Sequence, residues 1–146
     1  MNISDINGAV HLRPGAISSG SLSGVVTGAR ERGSVHATLY ENDSSKVAQA
    51  RVRVLHGPLA AAIDLLTSTK AFAIESGSAD FEYSAYAIGW ADGAAPAWRA
   101  VGDGSIDRAC LRVMPLITAV CGVTGPIEAR DGTLLFPALS ADTNGI

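Results

Sequence analysis

The 146-residue sequence predicts an α+β fold made of two βββα-like units, a mainly antiparallel sheet carrying two principal helices. Three observations predict it. Apolar residues alternate with polar ones between Val25 and Leu55; an apolar run at helical spacing then starts at Gly57-Pro58; and a second pass of strand-like segments ends in another helix-like run. No helix separates the early strands, which argues against a doubly wound α/β sheet.

Residues 13–24 are rich in Gly, Ser and Pro and read as loop, so residues 1–21 are expected to be a flexible lead-in. A weak strand is expected at 22–29. Val35, Ala37 and Leu39 then alternate with His36, Thr38 and Tyr40, and Asn42-Asp43-Ser44-Ser45 makes a turn. Beyond it Val52 and Val54 face one way and Arg51 and Arg53 the other, the pattern of a half-buried antiparallel hairpin.

Gly57-Pro58 opens the first helix, about 57–70, because proline suits a first turn where its missing N–H would have no partner. Leu59, Ala62, Ile63 and Leu66 follow at helical spacing, and Thr67-Ser68-Thr69 weakens the end. Phe81–Ile88 reads as an aromatic-rich strand, Asp92-Gly93 as a turn and Ala97–Val101 as a further strand. Gly102-Asp103-Gly104-Ser105 leads into the second helix, about 105–121, with Ser105 as N-cap and Asp107 in the first turn. Pro115 kinks or splits that helix. The single domain is set at 22–124. Residues 125–146 form an extension with an edge strand at Leu134-Leu135-Phe136 and a frayed end.

The composition narrows the function. Hydrophobic residues make up 47% of the chain and charged residues only 17%. Mean hydropathy is +0.23. That is more apolar surface than one small monomer hides, and a homodimer is the expected remedy. Net charge is −3 and Lys and Arg nowhere form a run, so nucleic acid is not an expected partner. Arg30, Arg32, Arg51 and Arg53 read as a solvated sheet face. The N-terminus lacks the basic-then-apolar order of a secretory signal, and no segment has the roughly 18 apolar residues of a membrane span. A cytoplasmic location follows as the expectation. Cys110 and Cys121 do not have metal-ligand spacing, and on one helix they lie about 16 Å apart, too far for a bridge. They are expected as buried free thiols.

Catalytic motifs are lacking: there is no G-x-S-x-G, P-loop, H-E-x-x-H or C-x-x-C. His11, His36 and His56 lie in separate segments without acidic or thiol partners at ligand spacing, so neither metal nor cofactor is expected. Asp64, Glu75, Asp103 and Asp107 fit helix ends or surfaces. A His56/Asp107 pair can be drawn, since both stand where helices are expected to open, but nothing in the sequence requires it. Gly102–Ser105 at a helix start offers N–H groups to an anion, but an ordinary turn and cap is the favoured explanation. The most informative phrase is Leu55-His56-Gly57-Pro58-Leu59-Ala60-Ala61-Ala62-Ile63. Glycine lets backbone approach closely, and the alanines leave room for a ligand or a neighbouring chain. Plain strand–helix packing is the simpler explanation.

GPLAAAIDLL, at 57–66, resembles the Gly-Pro helix start in the C-terminal regulatory domain of α-isopropylmalate and citramalate synthases. Val35–Leu39 is similar to the strand upstream of it in that family. Tyr83-Ser84-Ala85-Tyr86-Ala87 with Asp92-Gly93-Ala94 resembles a later strand and turn. Gly104–Arg112 with Ile117–Val120 is similar to the family's last helix. The pieces keep the family's order across residues 34–121, about 60% of the chain. Leu55-His56 stands where the family has Gly-Asn, and the catalytic barrel of those enzymes has no counterpart here.

The resemblance implies paired βββα units that dimerise and bind a small hydrophobic amino acid, as in leucine biosynthesis, between the units. Carried over by position, the ligand-binding residues are Gly57, Leu59, Ala60, Tyr83, Ala87, Ala94 and Ile106. The expected function is a stand-alone ligand-binding and dimerisation module. The alternatives are a small enzyme using the same cleft with His56 as base, and a purely structural or interaction protein.

Overall fold

The computed structural model describes residues 2–11, 17–66, 72–113, 118–131 and 133–141. It contains β1 (Asn2–His11), β2 (Ile17–Thr27), β3 (Arg32–Asn42), β4 (Val47–Pro58), α1 (Leu59–Leu66), β5 (Phe72–Ile88), β6 (Arg99–Val113), β7 (Val120–Arg130) and β8 (Thr133–Leu135). The eight strands form one antiparallel sheet in sequence order. Every strand therefore pairs with its chain neighbour, and α1 is inserted between β4 and β5.

This corrects the expected fold class. Among the described residues the architecture is nearly all β, with one short helix instead of two principal ones, and the paired βββα units do not form. The expected helix at 105–121 does not form over its described residues: 105–113 lie in β6, 118 and 119 precede β7, 120 and 121 begin β7, and 114–117 lie outside the described residues. The cause is a bulge: the β6–β7 register shifts between Ile106 and Ala109. Two residues, Asp107 and Arg108, separate two buried apolar ones, and Arg108 has φ 47°. A bulged strand thereby imitates the i, i+3 spacing of a helix. Pro115, Thr67-Ser68-Thr69 and the end of the expected first helix lie outside the described residues.

The 42–45 turn forms as a β3–β4 hairpin. The Asn42 Oδ1 accepts the N–H groups of Ser44 and Ser45 at 3.1 and 3.2 Å, the local side-chain bond that makes Asn a turn former. Period two across β3 and β4 also holds. Val35, Ala37 and Leu39 pair with Val54, Val52 and Ala50, so all six share one face, with Arg51 and Arg53 on the other. Leu22 and Val26 of β2 extend that apolar face on one side. Phe81 and Tyr83 of β5, Ile106 of β6, and Ile127 and Ala129 of β7 extend it on the other.

α1 lies on this face and covers one part of it. Leu59 and Ile63 join Ala79, Phe81, Ile106, Ala109, Val123, Ile127 and Ala129 in the main core. Ala61 joins Val26 and Val54 in a smaller cluster. Both are apolar, since no buried residue among those described is polar or charged. Further bulges interrupt β1 beside Asp5, β4 at Leu55-His56 and β5 between Ile74 and Ser78. Such insertions bend a strand. The β2–β3 connection accordingly reaches past β4 to β5, where Glu31 Oε1 accepts the Gly77 N–H at 2.9 Å.

Cys110 and Cys121 sit on neighbouring strands with Cα atoms 4.0 Å apart and form a disulfide. The expected free thiols are corrected for the same reason as the helix. Across an antiparallel pair, residues eleven apart in sequence become neighbours, whereas on a helix they cannot.

Candidate functional site: an uncovered apolar face

The positions carried over from the resemblance fall into three environments. Gly57, Leu59, Ala87 and Ile106 are buried, and Leu59 and Ile106 are among the largest fully buried side chains of the core. A Cβ at Gly57 would run into the Val54 side chain, so backbone approaches closely there, as glycine permits, and protein fills the space. Tyr83 is half-buried and packs on the core, its ring stacked 6.4 Å from that of Phe81. Ala94 is exposed in the β5–β6 connection, beyond the end of β5 opposite to the one that pairs with Gly57. Ala60 is exposed at the start of α1.

Ala60 lines a cleft of about 150 Å3 with Gly28, Glu31, Pro58, Ile74 and Gly77. Its chemistry is acidic. Glu31 and Glu75 both line it, Glu31 already holds the Gly77 N–H, and Glu75 is ion-paired with Arg112. The Glu31 carboxyl sits below the ordinary 4.5. Burial alone raises it, but the N–H groups of Gly77, Arg30 and Glu31 itself outweigh that effect.

His56 occupies the β4 bulge with φ 53°. Its backbone N–H donates to Asp80 Oδ1 at 2.7 Å, and its ring Nδ1 stands 3.7 Å from the same oxygen. The ring is 81% exposed, and neither the acidic cleft nor the apolar groove described next is lined by it. Asp107 is engaged elsewhere, 3.4 Å from Arg108, so the structure does not bring the His56/Asp107 pair into contact. His36 lies 3.5 Å from the Ser21 hydroxyl on the polar face. Among the described residues no three His, Cys, Asp or Glu side chains gather in a metal-binding arrangement. No described helix is long and apolar enough to cross a membrane.

The feature that sequence reading missed lies on the first three strands. Beyond the reach of α1, the apolar face stays open: Ile3, Ile6, Val10, Leu22 and Leu39 are all exposed, Ile6 at 66%. Ile3, Ile6, Leu22, Gly24, Val35 and Ala37 line a groove of about 180 Å3 on this face, and no charged residue borders it. The missed signal was the spacing of Ile3, Ile6 and Val10, obscured because the Asp5 bulge breaks their alternation.

Comparison with protein-family models, with curated proteins and with solved structures finds no match for this chain.

Proposed function

We propose that this chain is a binding and self-association module without catalytic machinery, whose partner is a second copy of itself. The open apolar face of β1–β3 carries this reading. Exposed contiguous apolar surface of this kind marks interaction sites, whereas scattered single residues do not.

Amino-acid sensing has less support, because four of its seven expected positions, Gly57, Leu59, Ala87 and Ile106, are buried. The cleft beside Ala60 is also lined by carboxylates, a poor setting for a ligand carboxylate. As for location, the Cys110–Cys121 disulfide favours an oxidising compartment over the cytoplasm, where thiols are kept reduced. Light scattering on the eluting protein tests the proposal. A mass of twice 14.9 kDa across the micromolar range is expected, and a mass of 14.9 kDa at every concentration overturns it.

A further inference from the structure

The geometry points to a closed, face-to-face dimer in which the β1–β3 apolar face of one copy packs on the same face of the other. This assignment of the surface rests on the self-association proposed above.

The other ways for two copies to meet are each obstructed. On the polar face, side chains engage one another across the strands, as with Arg51 and Glu82 at 3.4 Å and Arg99 and Asp131 at 3.1 Å. Edge-to-edge pairing is blunted at both ends of the sheet. β1 carries the Asp5 bulge in its middle, and bulges and inward-set charges are the devices that keep edges from pairing. β8 is only three residues long, and a bridge from Ser140 to Thr124 occupies another part of the β7 edge. The open apolar face, with its uncharged groove, is the surface least obstructed in these ways.

Its size suffices. Ten or more residues on each of three strands give a footprint of about 34 Å by 14 Å. Less the end near Val26 that α1 covers, that is somewhat under 1,000 Å2 of projected area for the pair, and side-chain relief raises the buried area toward the roughly 1,000 Å2 that a biological interface clears.

Its relief is self-complementary about one axis. Gly20, Leu22 and Gly24 run along the middle strand of the face, between Ile3, Ile6 and Val10 on β1 and Val35, Ala37 and Leu39 on β3. A two-fold axis parallel to the strands above β2 lays β1 of one copy over β3 of the other. Along the shared register Ile3 of one copy then lies over Gly33 of the other, Gly8 over Ala37 and Val10 over Leu39, and Leu22 meets its own symmetry mate. The same axis sends the two α1 helices to opposite ends of the dimer. An axis across the strands would instead stack helix on helix, so the position of α1 selects the first arrangement. The contact is isologous and closes on itself, so it yields dimers and no fibres.

The test uses the whole chain. Leu22→Asp and Leu39→Asp should each convert the dimer to a monomer at micromolar concentration with the circular dichroism spectrum unchanged. Gln49→Asp, on the polar face, should leave the dimer intact. Leu22→Cys should form an intermolecular disulfide under mild oxidation, and Ala60→Cys, on the helix, should not. A wild-type monomer overturns both this inference and the self-association reading, and leaves the face to a different partner. A wild-type dimer that survives Leu22→Asp, or that cross-links through Ala60→Cys and not through Leu22→Cys, overturns the face assignment alone. If either aspartate variant unfolds, the cross-linking pair decides.

Discussion

The carboxylate of Asp80 accepts the backbone N–H of His56 at 2.7 Å, holding a histidine at φ 53° where two residues of β4 oppose one of β5. The contact gives the bulge its partner, and the backbone geometry accounts for the close His–Asp approach. Left-handed backbone costs a side-chain-bearing residue roughly 1–2 kcal/mol, so the bulge needs that support. Asp80→Ala should destabilise the chain by about 1 kcal/mol in urea unfolding, while Asp80→Asn, which keeps an acceptor oxygen, should recover most of the loss. His56→Gly should be tolerated and His56→Val should not, because β-branching worsens the left-handed strain. Equal stability of all four variants would remove the bulge from any structural role.

Glu31 ties the β2–β3 connection to Gly77 of β5, and its carboxyl is held below 4.5 by backbone N–H donors that outweigh its burial. The unfolded chain therefore binds the proton more tightly than the folded one. The contribution of Glu31 is fully present above about pH 4.5 and is lost as pH falls through the lower folded value. The stability gap between wild type and Glu31→Gln should be constant from pH 6 to 8 and close between pH 5 and 3. A gap that widens in acid would contradict the sign.

Reaction with a thiol reagent should find no free cysteine in the native chain before reduction, given the Cys110–Cys121 bridge. The bridge closes a loop of 11 residues, for which chain entropy gives about 3 kcal/mol of stabilisation. The Cys110→Ser/Cys121→Ser double variant should unfold roughly 10 °C lower than the oxidised protein. Reduced wild type should match it; if reduction leaves the midpoint unchanged, the crosslink carries no stability.

Gly102 and Gly104 lie under the Phe81 ring on the apolar face of β6, where a Cβ at Gly102 would come within 2.6 Å of the ring's Cζ. Phe81 is 2% exposed and cannot retreat without opening the core. Gly102→Val should therefore cost about 2–3 kcal/mol by overpacking, despite raising local β-propensity. The same variant combined with Phe81→Leu should recover part of that loss, a coupling that thermal unfolding of the four-member cycle measures.

Alternation in 35–54 determined the β3–β4 hairpin, its turn and the side on which Val52 and Val54 are buried, because a period of two is a local property of an extended chain. A helix at this point was legible from the apolar spacing after Pro58, but Gly57 and Pro58, expected in its first turn, end β4 by pairing with Ala79 and Ser78, and α1 starts at Leu59. Other features depended on the partner strand. Gly102–Ser105 reads as a turn and cap in isolation, and becomes mid-strand only because Phe81 needs room above two glycines. Ile106 and Ala109 imitate a helix because Arg108 bulges, and that bulge exists only against β7. The Cys110–Cys121 bridge follows from the same pairing. The open face of Ile3, Ile6, Val10, Leu22 and Leu39 was beyond any local reading. Its exposure depends on where an eight-residue helix, encoded twenty or more residues later, comes to rest on the sheet. Tertiary structure decided the site, because a surface is open only when nothing else in the fold covers it.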